Sequence, residues 1–538
     1  MNSLYSLIKN NHKSSFGDLS YYEKDALYSV SRDEFWEDVG IIATALHIEG
    51  IGKGDTVAIV SEPSVYWMMM DMAILSLGAI SVPMFSNISE ANLEFQMKDA
   101  DIKYMFVQDG WDKVSKYARD MNLVITKGID TSLRNSVRYE DFINIKPKNI
   151  NTHIDDDDIA TIIYTSGSTG MPKGVELTHK NLITQVLDIS EILNLKAQDK
   201  ALSFLPLAHV FERTVMNFYM YSGVHIYLIN DIDSIGKRIK EINPTIMTTV
   251  PRLLEKIYDK INIGIKEKGA VSKTIASICI KRARSKNPNT KNSFIDGICK
   301  KLLYTKLQKI FGTDMKYIVS GGAKLRDDLH KFYLNAQLPL YQGYGLSEHS
   351  PVVCTNYPKN NRYPSCGKPL KSVEVKLSDK NELLVKSPSV MKGYHNMDNI
   401  IKDGWLGTGD IASIDKDGYI TIVSRLKDLC KTSTGKYINS AYLELELAKS
   451  DYIEYVHLIA ENKKFVSAII FSEENPEKIQ SAVDNLNKTL DQSSKIKKIY
   501  ISKKLPTVEN TMLTPSMKIA KKIVEDVYTK EIEKMYTK

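Results

Sequence analysis

From about residue 34, short apolar runs suited to strands alternate with longer stretches whose apolar residues recur at helical spacing. Glu34–Glu49 carries the helical pattern and stops at Gly50. Thr56–Val60 reads as a strand, Val65–Leu77 as a helix, Ala79–Pro83 as a strand, Ala91–Ala100 as a helix and Tyr104–Val107 as a strand. Further on, helices are expected over Lys180–Leu193, Phe211–Tyr221, Ile235–Ile242 and Arg252–Lys260. Strands over Ala201–Leu205, Val224–Ile229 and Ile246–Val250 separate them. Repeated strand–helix units with short connections predict a mostly parallel sheet covered by helices.

The character changes later. Glu374–Leu377, Glu382–Lys386 and Tyr419–Val423 are short strand candidates near Gly and Asp turns, which predicts a small β-rich unit. Beyond Arg425 the pattern is that of a compact α+β domain. Its helices are expected over Ala441–Lys449, near Glu477–Leu490 and after Lys518, and its strands over Val456–Ala460 and Phe465–Phe471. A chain of 538 residues exceeds one simple core. We expect a domain over residues 1–424 and another over 425–538.

Apolar content of 43% and charged content of 25% are ordinary for a globular protein, and a net charge of +7 admits anionic ligands without demanding them. The five cysteines are scattered and lack CxxC spacing, so neither a disulfide framework nor a zinc site is expected, and a reducing cytoplasm is the simplest location. The first ten residues have no apolar core of signal-peptide length. The most apolar stretch, Val65–Phe85, is broken by Asp71, Gly78 and Pro83, which argues against a transmembrane span. Residues 260–309 hold thirteen Lys or Arg and two acids, Glu267 and Asp296. They read either as a solvated helical face or as a site for phosphates or anionic lipid.

Chemistry is concentrated first in Thr165-Ser-Gly-Ser-Thr-Gly-Met-Pro-Lys-Gly174, directly after the apolar run Ile159–Tyr164. The segment reads as a strand running into a flexible polar loop. Glycines allow close backbone approach, and exposed amides with hydroxyls can surround phosphate oxygens. Lys173 adds a compact positive charge for the same oxygens. The Walker pattern fails, because Lys173 follows Pro172 and precedes Gly174, and so does the dinucleotide Gly-x-Gly-x-x-Gly. A nucleotide triphosphate is the expected ligand; an ordinary Ser/Gly linker is the bland alternative.

Tyr164–Gly174 resembles the signature loop of the adenylate-forming superfamily, which includes acyl-CoA synthetases, luciferases and peptide-synthetase adenylation domains. Further segments match it in order. Leu205-Pro-Leu-Ala-His-Val-Phe-Glu-Arg213 and Pro244–Tyr258 are worded like long-chain fatty acyl-CoA synthetases. Val319-Ser-Gly-Gly-Ala-Lys-Leu325 is a strand ending in a glycine turn. Tyr341-Gln-Gly-Tyr-Gly-Leu-Ser-Glu348, Asp403–Asp410 with Asp417–Asp428, Lys431-Thr-Ser-Thr-Gly-Lys436 and Met512-Leu-Thr-Pro-Ser-Met-Lys518 complete the set. The likeness runs from about residue 20 to about residue 525.

The resemblance implies an α/β fold: a large N-terminal domain of stacked α/β sheets with a small β-rich unit, and a small mobile C-terminal α+β domain. It implies ATP and AMP contacts at Thr165, Ser166, Gly167, Ser168, Thr169, Gly170, Lys173, Gly322, Ala323, Gly343, Tyr344, Gly345, Leu346 and Ser347. Tyr344 offers a face for adenine; Asp410 and Arg425 suit the ribose hydroxyls. Glu348 and Thr165 are the Mg²⁺ candidates. Lys518, Lys173 and Glu348 are the expected catalytic groups, with Lys518 neutralising charge that develops at the α-phosphate. His209 is placed beside the acyl pocket, or else serves only as a helix-start packing residue. Lys427 is the expected hinge, and Gly435 and Lys436 the expected CoA contacts.

The implied reaction is ATP-dependent activation of a long-chain fatty acid through acyl-AMP to acyl-CoA, releasing AMP and pyrophosphate. The alternatives are an acyl-carrier-protein ligase, another carboxylate-adenylating enzyme, or a catalytically silent nucleotide-binding homologue. Expected partners are a fatty acid, ATP, Mg²⁺ and CoA, with no nucleic acid; peripheral membrane contact and a homodimer are admitted rather than required. Four features depart from the family pattern: a short link between Tyr394 and Gly404, Ser424 before Arg425, Ser440 where proline is usual, and Thr511 where glycine is usual. The acyl-pocket walls are expected among scattered apolar residues near His209 and Val250.

Overall fold

The computed structural model describes residues 2–11, 17–23, 25–166, 172–267, 269–426, 429–514 and 518–537. Two sheets form the N-terminal region, as the family resemblance implies. The first has nine strands, in the order Lys368–Pro369, Val352–Thr355, Leu340–Gly345, Tyr317–Ser320, Ile246–Thr249, Lys200–Ser203, His225–Leu228, Leu19–Glu23 and Ala26–Val30. The second has eight: Gly393–Tyr394, Pro172–Thr178, Ile159–Ser166, Ile80–Met84, Thr56–Val60, Tyr104–Val107, Leu123–Thr126 and Ser136–Arg138. Both are parallel at the centre and antiparallel toward at least one edge. Strands such as Thr56–Val60 are buried almost throughout, as strands covered on both faces are.

The layer between the sheets explains the run that broke at Asp71. Val65–Ser76 is buried over nearly its whole circumference, the signature of a helix enclosed on all sides. With His179–Ile192 and Val210–Ser222 it joins one apolar core containing Val57 and Ile163 from one sheet and Ile226 and Ile246 from the other. Asp71 is retained there by a partner. Arg213 Nη2 and Nε donate to its two carboxylate oxygens at 2.7 and 3.1 Å, and Arg213 Nη1 donates to Thr161 Oγ1 at 2.5 Å. A buried pair survives in low dielectric only when its hydrogen bonds are satisfied in this way.

A four-stranded antiparallel sheet, Glu374–Leu377, Glu382–Lys386, Leu406–Ile414 and Ile420–Arg425, forms the β-rich unit. The C-terminal region has a three-stranded sheet of Tyr455–Ile459, Val466–Phe471 and Ile496–Ser502, with helices Ser440–Leu447, Pro476–Asn487, Lys521–Val527 and Thr529–Tyr536. Ser440 occupies the first helical position behind the cap Asn439, which is where proline is favoured because its missing N–H has no helical acceptor.

Helices Pro251–Lys266, Ala270–Ser285 and Phe294–Cys299 pack on the nine-stranded sheet around Leu254, Ile280 and Phe332. Here the cysteine expectation is corrected: Cys279 and Cys299 form a disulfide, with Cα atoms 5.4 Å apart. Twenty residues separate the two in sequence, and only the antiparallel packing of their helices makes them neighbours. No helix among the described residues is long and apolar enough to cross a membrane.

Candidate active site

The signature segment is a hairpin and not simply a strand ending in a loop. Ile159–Ser166 pairs antiparallel with Pro172–Thr178, which sets Thr165 opposite Lys173. Gly167, Ser168, Thr169 and Gly170 lie outside the described residues, and nothing is said of the Ser166 side chain.

A cavity of about 340 Å³ adjoins this hairpin. Its polar end is lined by Thr165, Gly321, Gly322, the run Gly343–Glu348, Arg425, Thr514 and Lys518. Residues from five separate motifs therefore meet at one place. Two glycines are required by the backbone. Gly322 has φ of 78°, and a Cβ on Gly345 would lie 2.1 Å from the Pro351 carbonyl oxygen. Ala323, next to the turn, is not part of the wall.

Hydrogen bonds orient the acidic groups. Tyr344 OH donates to Asp410 Oδ2 at 2.6 Å, and Arg425 Nε lies 3.4 Å from Asp410 Oδ1. Asp410 and Arg425 are direct partners across two antiparallel strands, so their proximity is a matter of register. Burial, followed by the Asp410 carboxylate, pushes the Tyr344 phenol up, keeping it a donor. Tyr394 OH donates to Glu348 Oε1 at 2.6 Å, while Lys173 Nζ sits 4.7 Å from the Tyr394 ring centre. Lys173 is thus behind the wall and linked to Glu348 through Tyr394. Tyr394 is the functional candidate that sequence reasoning missed, because a lone aromatic gives no sign of its partners.

Lys518 comes from the C-terminal region. Thr514 N donates to the Lys518 carbonyl at 2.8 Å and Lys518 N donates to Thr514 Oγ1 at 3.1 Å, and both residues line the cavity. Thr511, just before this turn, has φ of 60°. That is a left-handed conformation costly for a β-branched residue, and it explains why glycine is usual there. Gly435 and Lys436 sit on an exposed turn between Leu429–Lys431 and Tyr437–Asn439, away from the cavity wall. Lys427 lies outside the described residues.

His209 caps a helix and lines the cavity. Its Nδ1 accepts from Phe211 N at 3.3 Å, capping Val210–Ser222, and its ring is open to the cavity. The surrounding walls, then the Lys518 ammonium, push its pKa down to about 4. Past His209 the lining turns apolar, with Ile189, Ile192, Leu193, Phe218 and Ile246. Val250 is not on this wall; Ile246 and Thr248 of the preceding strand are. Behind Thr248 lies the fully buried Glu212, which accepts from Ser203 Oγ at 2.5 Å and Thr248 Oγ1 at 2.7 Å. Burial, partly offset by these bonds, raises its pKa to about 7.

Among the described residues, no three His, Cys, Asp or Glu side chains gather as a metal cage. Glu348 and Thr165 nevertheless line the same cavity. One hard carboxylate with a hydroxyl fits Mg²⁺, which normally completes its shell with water and nucleotide phosphate oxygens.

The fold and this cavity lining are those expected of a nucleotide-binding α/β enzyme. The family model for AMP-binding enzymes matches residues 14–395, and that for the AMP-binding enzyme C-terminal domain matches residues 427–538. The chain belongs to the AMP-binding enzyme family. Among its relatives is the long-chain-fatty-acid–CoA ligase FadD15 of Mycobacterium tuberculosis, 27% identical, with 95% of this chain and 94% of the relative covered. Another is a chloroplastic long-chain-fatty-acid–acyl-carrier-protein ligase of Arabidopsis thaliana, 28% identical, with 92% and 81% covered. Of solved structures, o-succinylbenzoate CoA synthetase from Bacillus subtilis with ATP and magnesium superposes with a TM-score of 0.74. It is 20% identical, and 97% of this chain and 99% of that chain are covered. The likeness to that structure establishes the fold.

Proposed function

We propose that the protein is an AMP-forming acyl-CoA synthetase acting on long-chain fatty acids. The observation that carries this reading is the single cavity whose polar end gathers Thr165, Tyr344, Glu348, Arg425 and Lys518 and whose other end is lined by Ile189, Ile192, Leu193 and Phe218. A carboxylate head and an alkyl tail match those two ends. The FadD15 relative supports CoA as acceptor and a long chain as substrate.

In this reading the triphosphate lies along the 165–174 hairpin, with adenine against Tyr344 and Gly322 and the ribose hydroxyls on Asp410. Glu348 and Thr165 would hold Mg²⁺, which would supply charge neutralisation at the phosphates. Lys518 stabilises the negative charge that grows as the carboxylate attacks the α-phosphate, and pyrophosphate leaves. Tyr394 keeps Glu348 oriented, and Lys173 reinforces the positive field from behind the wall. Residues 425–538 then turn about Lys427, which removes Lys518 and brings Gly435 and Lys436 to the cavity. The CoA thiol attacks the acyl carbonyl and AMP leaves.

The Arabidopsis relative favours a second reading in which acyl-carrier protein replaces CoA. Pyrophosphate release measured over saturated fatty acids from acetate to arachidate, with CoA and acyl-carrier protein offered in parallel, decides between them. Release peaking with palmitate and thioester formed only on CoA is the expected result. Thioester formed only on carrier protein establishes the alternative, and no release with any acid overturns both.

A further inference from the structure

The basic segment over residues 260–309 is helical, yet it is not simply a solvated face. On Ala270–Ser285 the inward stripe is Ala276, Cys279, Ile280 and Ala283. A second apolar stripe, Val271, Ile275 and Ile278, recurs at the same spacing and points outward, with Val271 75% and Ile278 57% exposed. The next helical stretch repeats the arrangement: Phe294 is 84% exposed, and Ile295, Ile298 and Leu302 are exposed beside it. The Cys279–Cys299 disulfide and the Arg282–Asp296 ion pair at 2.6 Å fix one antiparallel register between the two stretches. That register sets Ile275 and Ile278 level with the span from Ile298 to Leu302, so the two outward stripes form one surface.

The exposed charge around this surface is mostly positive, with Glu267 before Val271 the exposed acid of the segment. Lys273, Lys281, Lys291, Lys300, Lys301 and Lys306 are exposed, and none forms an ion pair among the described residues. Of the two acids in the segment, Asp296 is already held by Arg282 and Lys286, which keep its carboxyl well below the usual range. Protein interfaces are depleted of lysine at their cores. Apolar residues among lysines suit a bilayer boundary, where the apolar side chains enter the acyl region and the lysine stems extend to lipid phosphates.

We propose that the face formed by Val271, Ile275, Ile278, Phe294, Ile298 and Leu302 is a docking surface for an anionic membrane. The proposal goes beyond the adenylating site and does not depend on it, since none of these residues lines the cavity. Full-length protein sedimented with phosphatidylcholine vesicles, with or without about 30 mol% phosphatidylglycerol, tests it. Wild-type protein is expected to bind only the anionic vesicles, and to release as salt rises. Phe294→Ser with Ile298→Ser, and separately Ile275→Ser with Ile278→Ser, should each weaken binding about tenfold. The triple variant Lys300→Glu, Lys301→Glu and Lys306→Glu should weaken it similarly. Each variant should keep wild-type pyrophosphate release in solution. The two apolar pairs lie on separate helical stretches, so misfolding of one leaves the other to decide. Absence of wild-type binding overturns the proposal. So does loss caused by the lysine changes alone, which would assign the surface to an acidic protein partner.

Discussion

The N-terminal and C-terminal regions hold their charges in opposite ways. In the N-terminal region the important charges are buried and paired, as Arg213 is with Asp71, or oriented at the cavity wall, as Glu348 is by Tyr394. In the C-terminal region the two lysines singled out by the sequence sit on exposed turns, one at the cavity and one away from it. A preorganised wall favours stabilising a charge in a fixed place. Lysines on surface turns favour exchanging one charge for another. The division of labour proposed for Lys518 and Lys436 rests on that contrast, and four experiments can break or sharpen it.

The largest effect is expected at Lys518. Lys518→Ala should reduce acyl-AMP formation by about 100-fold to 1,000-fold and leave thioester formation from supplied acyl-AMP within about threefold. Single-turnover measurement of the two half-reactions checks it. Equal loss in both sinks the exchange.

Acid should separate the regions next. His179, His330 and His349 of the N-terminal region are pushed down to about 4 by burial. Below the ordinary value near 6.5 the unfolded chain takes up protons that the fold refuses until about pH 4. Stability therefore falls as pH drops through that window, by up to about 3 kcal/mol per histidine. His457 in the C-terminal region goes the other way: burial pushes it down, but hydrogen bonds to Glu444 and Glu525 outweigh this and raise it. Its contribution is complete below its unfolded value and is lost as pH rises through the folded one. Calorimetry from about pH 7 to about pH 5 should show the N-terminal transition moving down further than the C-terminal one. Parallel shifts count against the contrast.

Lys436→Ala should reverse the Lys518 pattern with a smaller amplitude: about tenfold slower thioester formation from acyl-AMP, with adenylation unchanged. Stopped-flow assays with acyl-AMP and CoA read this directly. The smallest effect is expected at Thr511. Thr511→Gly removes a left-handed β-branched residue and should stabilise the C-terminal region by about 1 kcal/mol, read as a denaturant midpoint. A lower midpoint would show that the threonine side chain, whose Oγ1 donates to the Asn510 carbonyl at 2.7 Å, contributes more than the strain costs.

Much of the fold was legible in the chain. Thr56–Val60, Tyr104–Val107 and Ile235–Ile242 fall where the apolar periodicity sets them. The strand Leu406–Ile414 was missed because Gly407 and Gly409 interrupt its pattern. The hairpin return Pro172–Thr178 was hidden by a proline and a glycine that ordinarily mark loops. At the site, motif residues with distinctive chemistry such as Glu348, Asp410 and Lys518 could be singled out. Tyr394 and the apolar walls could not, since one tyrosine or isoleucine resembles any other until its neighbours are known.

The sequence by itself determined the inventory: which carboxylates, lysines and glycines exist, in what order, and that strands and helices alternate. Local spacing is enough for that, because capping, periodicity and glycine usage act over a few residues. The tertiary structure alone decided what meets what. It set Thr514 and Lys518 beside His209, joined Cys279 to Cys299, and left Lys436 off the cavity wall. It also turned a merely basic segment into a surface carrying two apolar stripes. Contacts between residues hundreds of positions apart depend on how two sheets and their intervening helices pack, and that information is distributed over the whole core rather than written in any motif.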